Sequence, residues 1–245
     1  MINLKKNILK MYSISSTIIE NILYKKNNST TLFNEIGFLK FKIKHQLFKE
    51  FKFKTTLNRN KYFKILLLEE NDINKILKKL FLENKLCEKI TSLTGFNYRI
   101  NYLIFYETFN IPEELKNEEI YANQWHFDKP FSKNTLKIII PLQKIDINSG
   151  PMKILNIDNS KKLDSKNFIN PDLEVIGDEN DIFIFNPNLC AHKAGVPDEN
   201  KTRKQLMIQL NPAKNWSYSR NLNQKQLRIE PKFPLFNIFE KYYQF

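Results

Sequence analysis

The chain has 245 residues, 42% hydrophobic and 13% aromatic, which is ample apolar material for a core and reads as globular, excluding a chain that is disordered throughout. Its two cysteines, Cys87 and Cys190, are too few for a disulfide framework, and no stretch approaches the roughly 18 uninterrupted apolar residues of a membrane span, so a soluble cytoplasmic protein is expected. The net charge of +13 is uneven, with 19 basic and 8 acidic side chains in residues 1–90 against 20 and 18 in 91–245; a basic face for an anionic partner and a solvated Lys-rich background both fit, and the second is the simpler reading.

The first 30 residues, rich in Ile, Leu and Lys without a clean period, predict one or two short helices on the outside of the domain. Their longest uncharged stretch, Met11 to Ile19, is broken by three Ser and a Thr and ends in no small-residue cleavage site, so no signal peptide is expected. From Leu39 to His45 apolar residues alternate with lysines, which is strand periodicity. The interleaving continues through Phe51-Lys52-Phe53-Lys54 and could suggest stacking on a nucleic acid. Alternation sends the phenylalanines inward instead, so no nucleic-acid partner is expected, and His45 reads as a core or rim histidine rather than a ligand.

Asn71 and Asp72 look like an N-cap, followed by Ile73, Ile76, Leu77, Leu80, Cys87 and Ile90 at helical spacing, with Gly95 as C-cap, so a helix is predicted over about 72–93. Short β-like runs follow: Tyr98 to Phe109, Leu136 to Leu142, Met152 to Leu155, Asp181 to Phe185 and Gln205 to Leu210. Turn signals separate them at Asn148-Ser149-Gly150-Pro151, Asn186-Pro187-Asn188 and Pro197-Asp198-Glu199-Asn200. Many short strands without intervening helices predict a mainly β, antiparallel sandwich or barrel. The expected layout is one domain, with a basic support region over 1–95, a core over 96–211 and a C-terminal wrap over 212–245.

Two of the three histidines stand where a metal would want them. His126 and Asp128 are one residue apart in the extended-looking Gln124-Trp125-His126-Phe127-Asp128, so an imidazole and a carboxylate leave one face of a strand. A two-histidine, one-carboxylate triad needs a third ligand, and His192, after the apolar strand 181–185, is the available one. If the strands around it form a hairpin centred between Pro197 and Asp198, Arg203 lies opposite His192 and offers a fork for a carboxylate. The bland alternatives are a core histidine bonded to Asp128 and a surface base in Lys201-Thr202-Arg203-Lys204, but these residues are flanked by apolar strands, where an unpaired charge is costly. Gln124 either supports the site from the same face or caps a strand.

These segments, in this order, resemble the phytanoyl-CoA dioxygenase-like family of iron(II)/2-oxoglutarate oxygenases. Asn34-Glu35-Ile36-Gly37-Phe38-Leu39 is similar to its acidic-x-Gly-Phe strand entry, and 124–128 to its Gln-x-His-x-Asp motif. Asn148 to Met152 is similar to its Asn-Gly-Pro hairpin, 181–185 to its Gly-Asp-hydrophobic strand, and His192 through Arg203 to its distal histidine and cosubstrate arginine. The resemblance implies a double-stranded β-helix (jelly roll, cupin-like) with flanking helices, iron(II) on His126, Asp128 and His192, 2-oxoglutarate on the iron and Arg203, and O2 as oxidant. The implied reaction oxidises a C–H bond of a small-molecule substrate, for which the charge admits an anionic one, with release of succinate and CO2. Halogenation is disfavoured because it needs the carboxylate ligand gone, and Asp128 is present. The family's Pro-Gly-Ser-His turn is missing, replaced by Lys153 to Ser160, which withholds any transfer of substrate; Asn180 stands where the strand aspartate is usually preceded by Gly.

Overall fold

The structure, a computed structural model, describes residues 2–26, 31–44, 48, 51–53, 55–128, 132–163, 170–220, 222 and 242–245. Its main sheet is ordered β1 (Phe38–Lys42), β8 (Asp181–Phe185), β5 (Leu136–Pro141), β10 (Thr202–Ala213) and β4 (Asn97–Phe109), all antiparallel. β3 (Phe63–Leu67), paired with β2 (Thr55–Asn60), continues it on one stretch of β4, and β11 (Ser217–Ser219) with β12 (Tyr242–Gln244) on another, β11 running parallel to β4. A second, three-stranded sheet consists of β7 (Leu173–Glu174), β6 (Lys153–Ile154) and β9 (His192–Lys193).

The period of two decides which side each residue serves. Leu206, Ile208 and Leu210 of β10, Ile138 and Ile140 of β5, and Ile182 and Ile184 of β8 join the larger core with the helices. Residues of opposite parity, Ile139, Phe183 and Phe185, pack on Met152, Ile154 and Val175 around the small sheet. β4 changes parity in mid-strand: Ile100 and Leu103 both face the larger core, because the register slips where Gln209 pairs with Tyr102 and Leu210 with Ile100. Asn101 is the extra residue, a β-bulge. Beyond it Tyr102, Ile104, Tyr106 and Thr108 share the inner face with Arg203, Gln205, Met207 and Gln209.

The expected strand over 39–45 is β1 at Phe38–Lys42; His45 lies outside the described residues. The single helix expected over 72–93 is three pieces: α3 (Glu70–Lys78), a π-helical turn (Lys79–Glu83) and α4 (Leu86–Thr94). The break falls at Asn84, whose side chain donates to the Lys79 carbonyl at 2.8 Å, and Lys85, at φ 55°. The apolar rhythm survives because the two ends keep one buried face, and Gly95 closes α4 at φ 78° with its N–H on the Thr91 carbonyl, as expected.

The amino-terminal segment is one helix, α1 (Ile2–Tyr24), not one or two short ones, with a reversed polarity. Ser13, Ser16 and Glu20 are buried, while Met11, Ile14, Ile18 and Ile22 are exposed. Hydrogen bonds fasten it: Glu20 accepts from the Ser132 hydroxyl and, at 3.1 Å, from Asn134 Nδ2, and Lys133 N–H donates to Thr17 Oγ1 at 3.0 Å. A helix held through its polar side shows no apolar stripe that a sequence could reveal as buried. No helix among the described residues is long and apolar enough to cross a membrane. Of the wrap expected over 212–245, residues 223–241 lie outside the description; β12 and Phe245 return to the sheet, where Phe245 packs on Phe81, Trp216 and Tyr218.

Candidate metal centre

The segment 124–128 is not a regular strand. His126 forms an isolated antiparallel bridge with His192, each donating its N–H to the other's carbonyl at 3.0 Å, and the Asp128 N–H donates to the Pro187 carbonyl at 3.0 Å. β9 is short, yet it is held on both sides, by Ile154 of β6 and by His126. The imidazoles of His126 and His192 therefore stand 4.4 Å apart, with the Phe185 ring edge-on to His192 at 4.9 Å.

One ligand atom from each of His126, Asp128 and His192 lies within 4.8 Å of the others, the cluster of metal-ligating type found among the described residues. Each imidazole is oriented by the carbonyl two residues before it: His126 Nδ1 meets the Gln124 carbonyl at 2.8 Å and His192 Nδ1 the Cys190 carbonyl at 3.0 Å. A carbonyl only accepts, so each Nδ1 carries the proton and each Nε2 is left with a free lone pair. Burial, then the neighbouring His192, lowers the His126 pKa and favours that neutral form. Burial alone would raise the Asp128 carboxyl, but the Lys137 ammonium beside it holds it well below the ordinary carboxylate range. Asp128 Oδ1 is 3.5 Å from His192 Nε2 and Oδ2 is 2.6 Å from Lys137 Nζ.

The expected hairpin between His192 and Arg203 does not form. β9 belongs to the small sheet and β10 to the large one, where Arg203 is registered with Thr108 of β4. The loop between the strands changes sheets, which equal spacing about Pro197 could not show. Arg203 is nevertheless on the inner face, wholly buried. Its Nη1 donates to the carbonyls of Gly150 and Gly195, the latter at 3.1 Å, while Nε and Nη2 have no hydrogen-bond partner among the described residues. Two glycines build this cradle. Asp146 caps the turn Ile147–Ser149 by accepting from Ser149 N–H at 2.9 Å, and Gly150 then turns at φ 66°. A Cβ on Gly150 would lie 2.3 Å from Pro197 N, and one on Gly195 2.3 Å from the Pro151 carbonyl oxygen.

Gln124 contributes through its backbone. Its side chain is exposed and donates to the Lys116 carbonyl at 2.8 Å, so the expected support from the face shared with His126 and Asp128 comes from its carbonyl. Sequence reasoning missed four inner-face neighbours: Lys137, Thr108 with an unpartnered buried hydroxyl, and Gln205 and Tyr106, which bond each other. Register would have found the last three, Thr108 opposite Arg203, and Gln205 two residues on with Tyr106 opposite it. The two cysteines are unpaired.

No family model matches the chain, and no curated protein matches it. Among solved structures it is similar to the non-heme α-ketoglutarate-dependent epimerase SnoN from nogalamycin biosynthesis, at 12% identity and a TM-score of 0.51 over 80% of this chain and 83% of that one. Another is HygX from Streptomyces hygroscopicus, determined with nickel and 2-oxoglutarate bound, at 10% identity and a TM-score of 0.49 over 77% and 89%. At these identities the likeness to SnoN speaks for the fold, and the jelly roll expected from the sequence is borne out.

Proposed function

We propose that this protein is an iron(II)- and 2-oxoglutarate-dependent oxygenase of the phytanoyl-CoA dioxygenase-like kind, acting in the cytoplasm on a small molecule that the basic chain allows to be anionic. The observation that carries the reading is Arg203: a wholly buried guanidinium with two donors unused, on the inner face that also receives the triad. Such a group is costly unless an anion completes it. The distal carboxylate of 2-oxoglutarate fits, since Nε and Nη2 are the two adjacent donors that grip a carboxylate in parallel. That SnoN is named an α-ketoglutarate-dependent enzyme supports the same choice.

In this reading His126 Nε2, His192 Nε2 and Asp128 Oδ1 hold the metal, a set suited to iron(II) with open positions. Gln124 and Cys190 fix the imidazoles through their carbonyls, and the Thr108 hydroxyl adds a partner beside Arg203. When bound, iron and 2-oxoglutarate supply O2 activation coupled to release of succinate and CO2, which oxidises a substrate C–H bond. The protein's own part is to leave both Nε2 atoms unprotonated, keep Asp128 ionised and hold the dicarboxylate at one end. Anaerobic addition of iron(II) and 2-oxoglutarate is expected to give the weak visible charge-transfer band of the chelate. Absence of the band, or its persistence unchanged in Asp128→Ala and Arg203→Ala, would refute the proposal.

A further inference from the structure

Lys137 is an ammonium where the strand pattern calls for an aliphatic side chain. It stands in Leu136-Lys137-Ile138-Ile139-Ile140, on the parity of Ile139, registered with Phe185 on one side and Gln209 on the other, and is 5% exposed. Its Nζ lies 2.6 Å from Asp128 Oδ2. Asp128 is the one carboxylate of the ligand cluster among the described residues, so the site's negative charge is matched before any cation arrives. A divalent cation on Oδ1 would share that carboxylate with an ammonium already on Oδ2. Arg203, on the same inner face, adds a second fixed positive charge.

We infer that Lys137 trades cation affinity for anion affinity at this centre, so that the site holds a divalent cation more weakly, and a dicarboxylate more tightly, than it would with an uncharged residue there. The inference rests on the reading of the triad as a metal site. Counting His126 and His192 as neutral, Asp128, Lys137 and Arg203 sum to +1. A divalent cation raises this to +3, and a dianion returns it to +1. With an uncharged residue at 137 the same steps run from 0 to +2 and back to 0, so the cation meets less opposition on its own. Like charges sharing a buried site oppose one another strongly and opposite ones attract, whereas the mutual tightening of cation and dianion comes from their own charges and is the same with or without Lys137. Lys137 is thus a positioning residue: it leaves Oδ1 as the metal-facing oxygen and sets how readily each ligand binds.

The test uses Mn(II) and the full chain, with free Mn(II) followed by electron paramagnetic resonance in the absence and presence of 2-oxoglutarate. For the native protein 2-oxoglutarate is expected to tighten Mn(II) by about tenfold or more. In Lys137→Met, Mn(II) should bind about tenfold tighter with or without 2-oxoglutarate, and 2-oxoglutarate about tenfold more weakly, with the gain itself unchanged. Lys137→Gln, which keeps a donor to Asp128 without the charge, should follow Lys137→Met, and Lys137→Arg should follow the native protein; these serve where the methionine variant does not fold. If Mn(II) binds but folded Lys137→Met or Lys137→Gln keeps the native affinities for Mn(II) and 2-oxoglutarate, the inference falls and the metal site stands. If the native protein takes up no Mn(II) with or without 2-oxoglutarate, the metal reading falls, and this inference with it.

Discussion

Replacing Arg203 by methionine should move the stability of the empty and the loaded protein in opposite directions. In the empty protein the substitution removes two orphaned buried donors, Nε and Nη2, each of which costs about 1–3 kcal/mol. It also strands the Gly150 and Gly195 carbonyls that Nη1 now serves, a loss of about 1–1.5 kcal/mol each. Taking midpoints, about 4 kcal/mol is relieved and about 2.5 lost, so Arg203→Met should be more stable by about 1–2 kcal/mol, or about 2–8 °C in Tm for a chain of this size. With metal present and 2-oxoglutarate at about 100 times its Kd, the native protein gains roughly 2.7 kcal/mol, and the variant should gain little. The order of Tm values therefore crosses on adding ligand, which differential scanning fluorimetry with Mn(II) and 2-oxoglutarate reads directly. A variant that loses more than about 2 kcal/mol when empty, or keeps the full 2-oxoglutarate-dependent rise, would show that the guanidinium is a structural tie and not an anion receptor.

Gly195→Ala places a methyl 2.3 Å from the Pro151 carbonyl oxygen, and separating the two loops should cost about 2 kcal/mol in urea unfolding and about tenfold in 2-oxoglutarate affinity; native values for both would refute the cradle. Burial raises the Glu20 carboxyl to about 7 from 4.5, against the hydrogen bonds from Ser132 and Asn134. The folded state thus favours the protonated form: the penalty is absent below pH 4.5, grows between pH 4.5 and 7, and is complete above, amounting to roughly 3 kcal/mol. Native stability should fall across that window and the Glu20→Gln profile should be flatter there; parallel profiles would refute it. Burial pushes the Cys190 thiol up to about 12, so iodoacetamide at pH 8 should leave it unmodified in the folded protein and label it in urea, and labelling at equal rates would contradict its placement.

The triad was legible because its signals were local or ordered. His126 and Asp128 share a face at a spacing of two even though the segment is a bridge and not a strand, and His192 followed from being the remaining histidine beyond a buried strand. Arg203 was found for a reason that fails: no hairpin joins it to His192, and its place comes from β4, more than ninety residues earlier. Lys137 was hidden because a lysine in a strand ordinarily marks the solvent side, and only the pairing of β5 with β8 and β10 shows it facing inward. The core of the helical layer was readable from its period, but the break at Asn84 and Lys85 was not, since both sides keep one apolar face. α1 was misjudged because its contacts are polar.

The groups that aim the site's side chains are main-chain oxygens: those of Gln124 and Cys190 for the two imidazoles, and those of Gly150 and Gly195 for the guanidinium. Every residue offers the same carbonyl with the same geometry, so this scaffolding asks for a path of the chain and hardly at all for particular letters along it. Position 124 can drift freely as long as the backbone passes through the same points; the two glycines, where chain touches chain, are pinned by size, and Cys190 by its burial against Gly37. A site supported in this way constrains little of the sequence around it, in keeping with an architecture shared with SnoN at 12% identity.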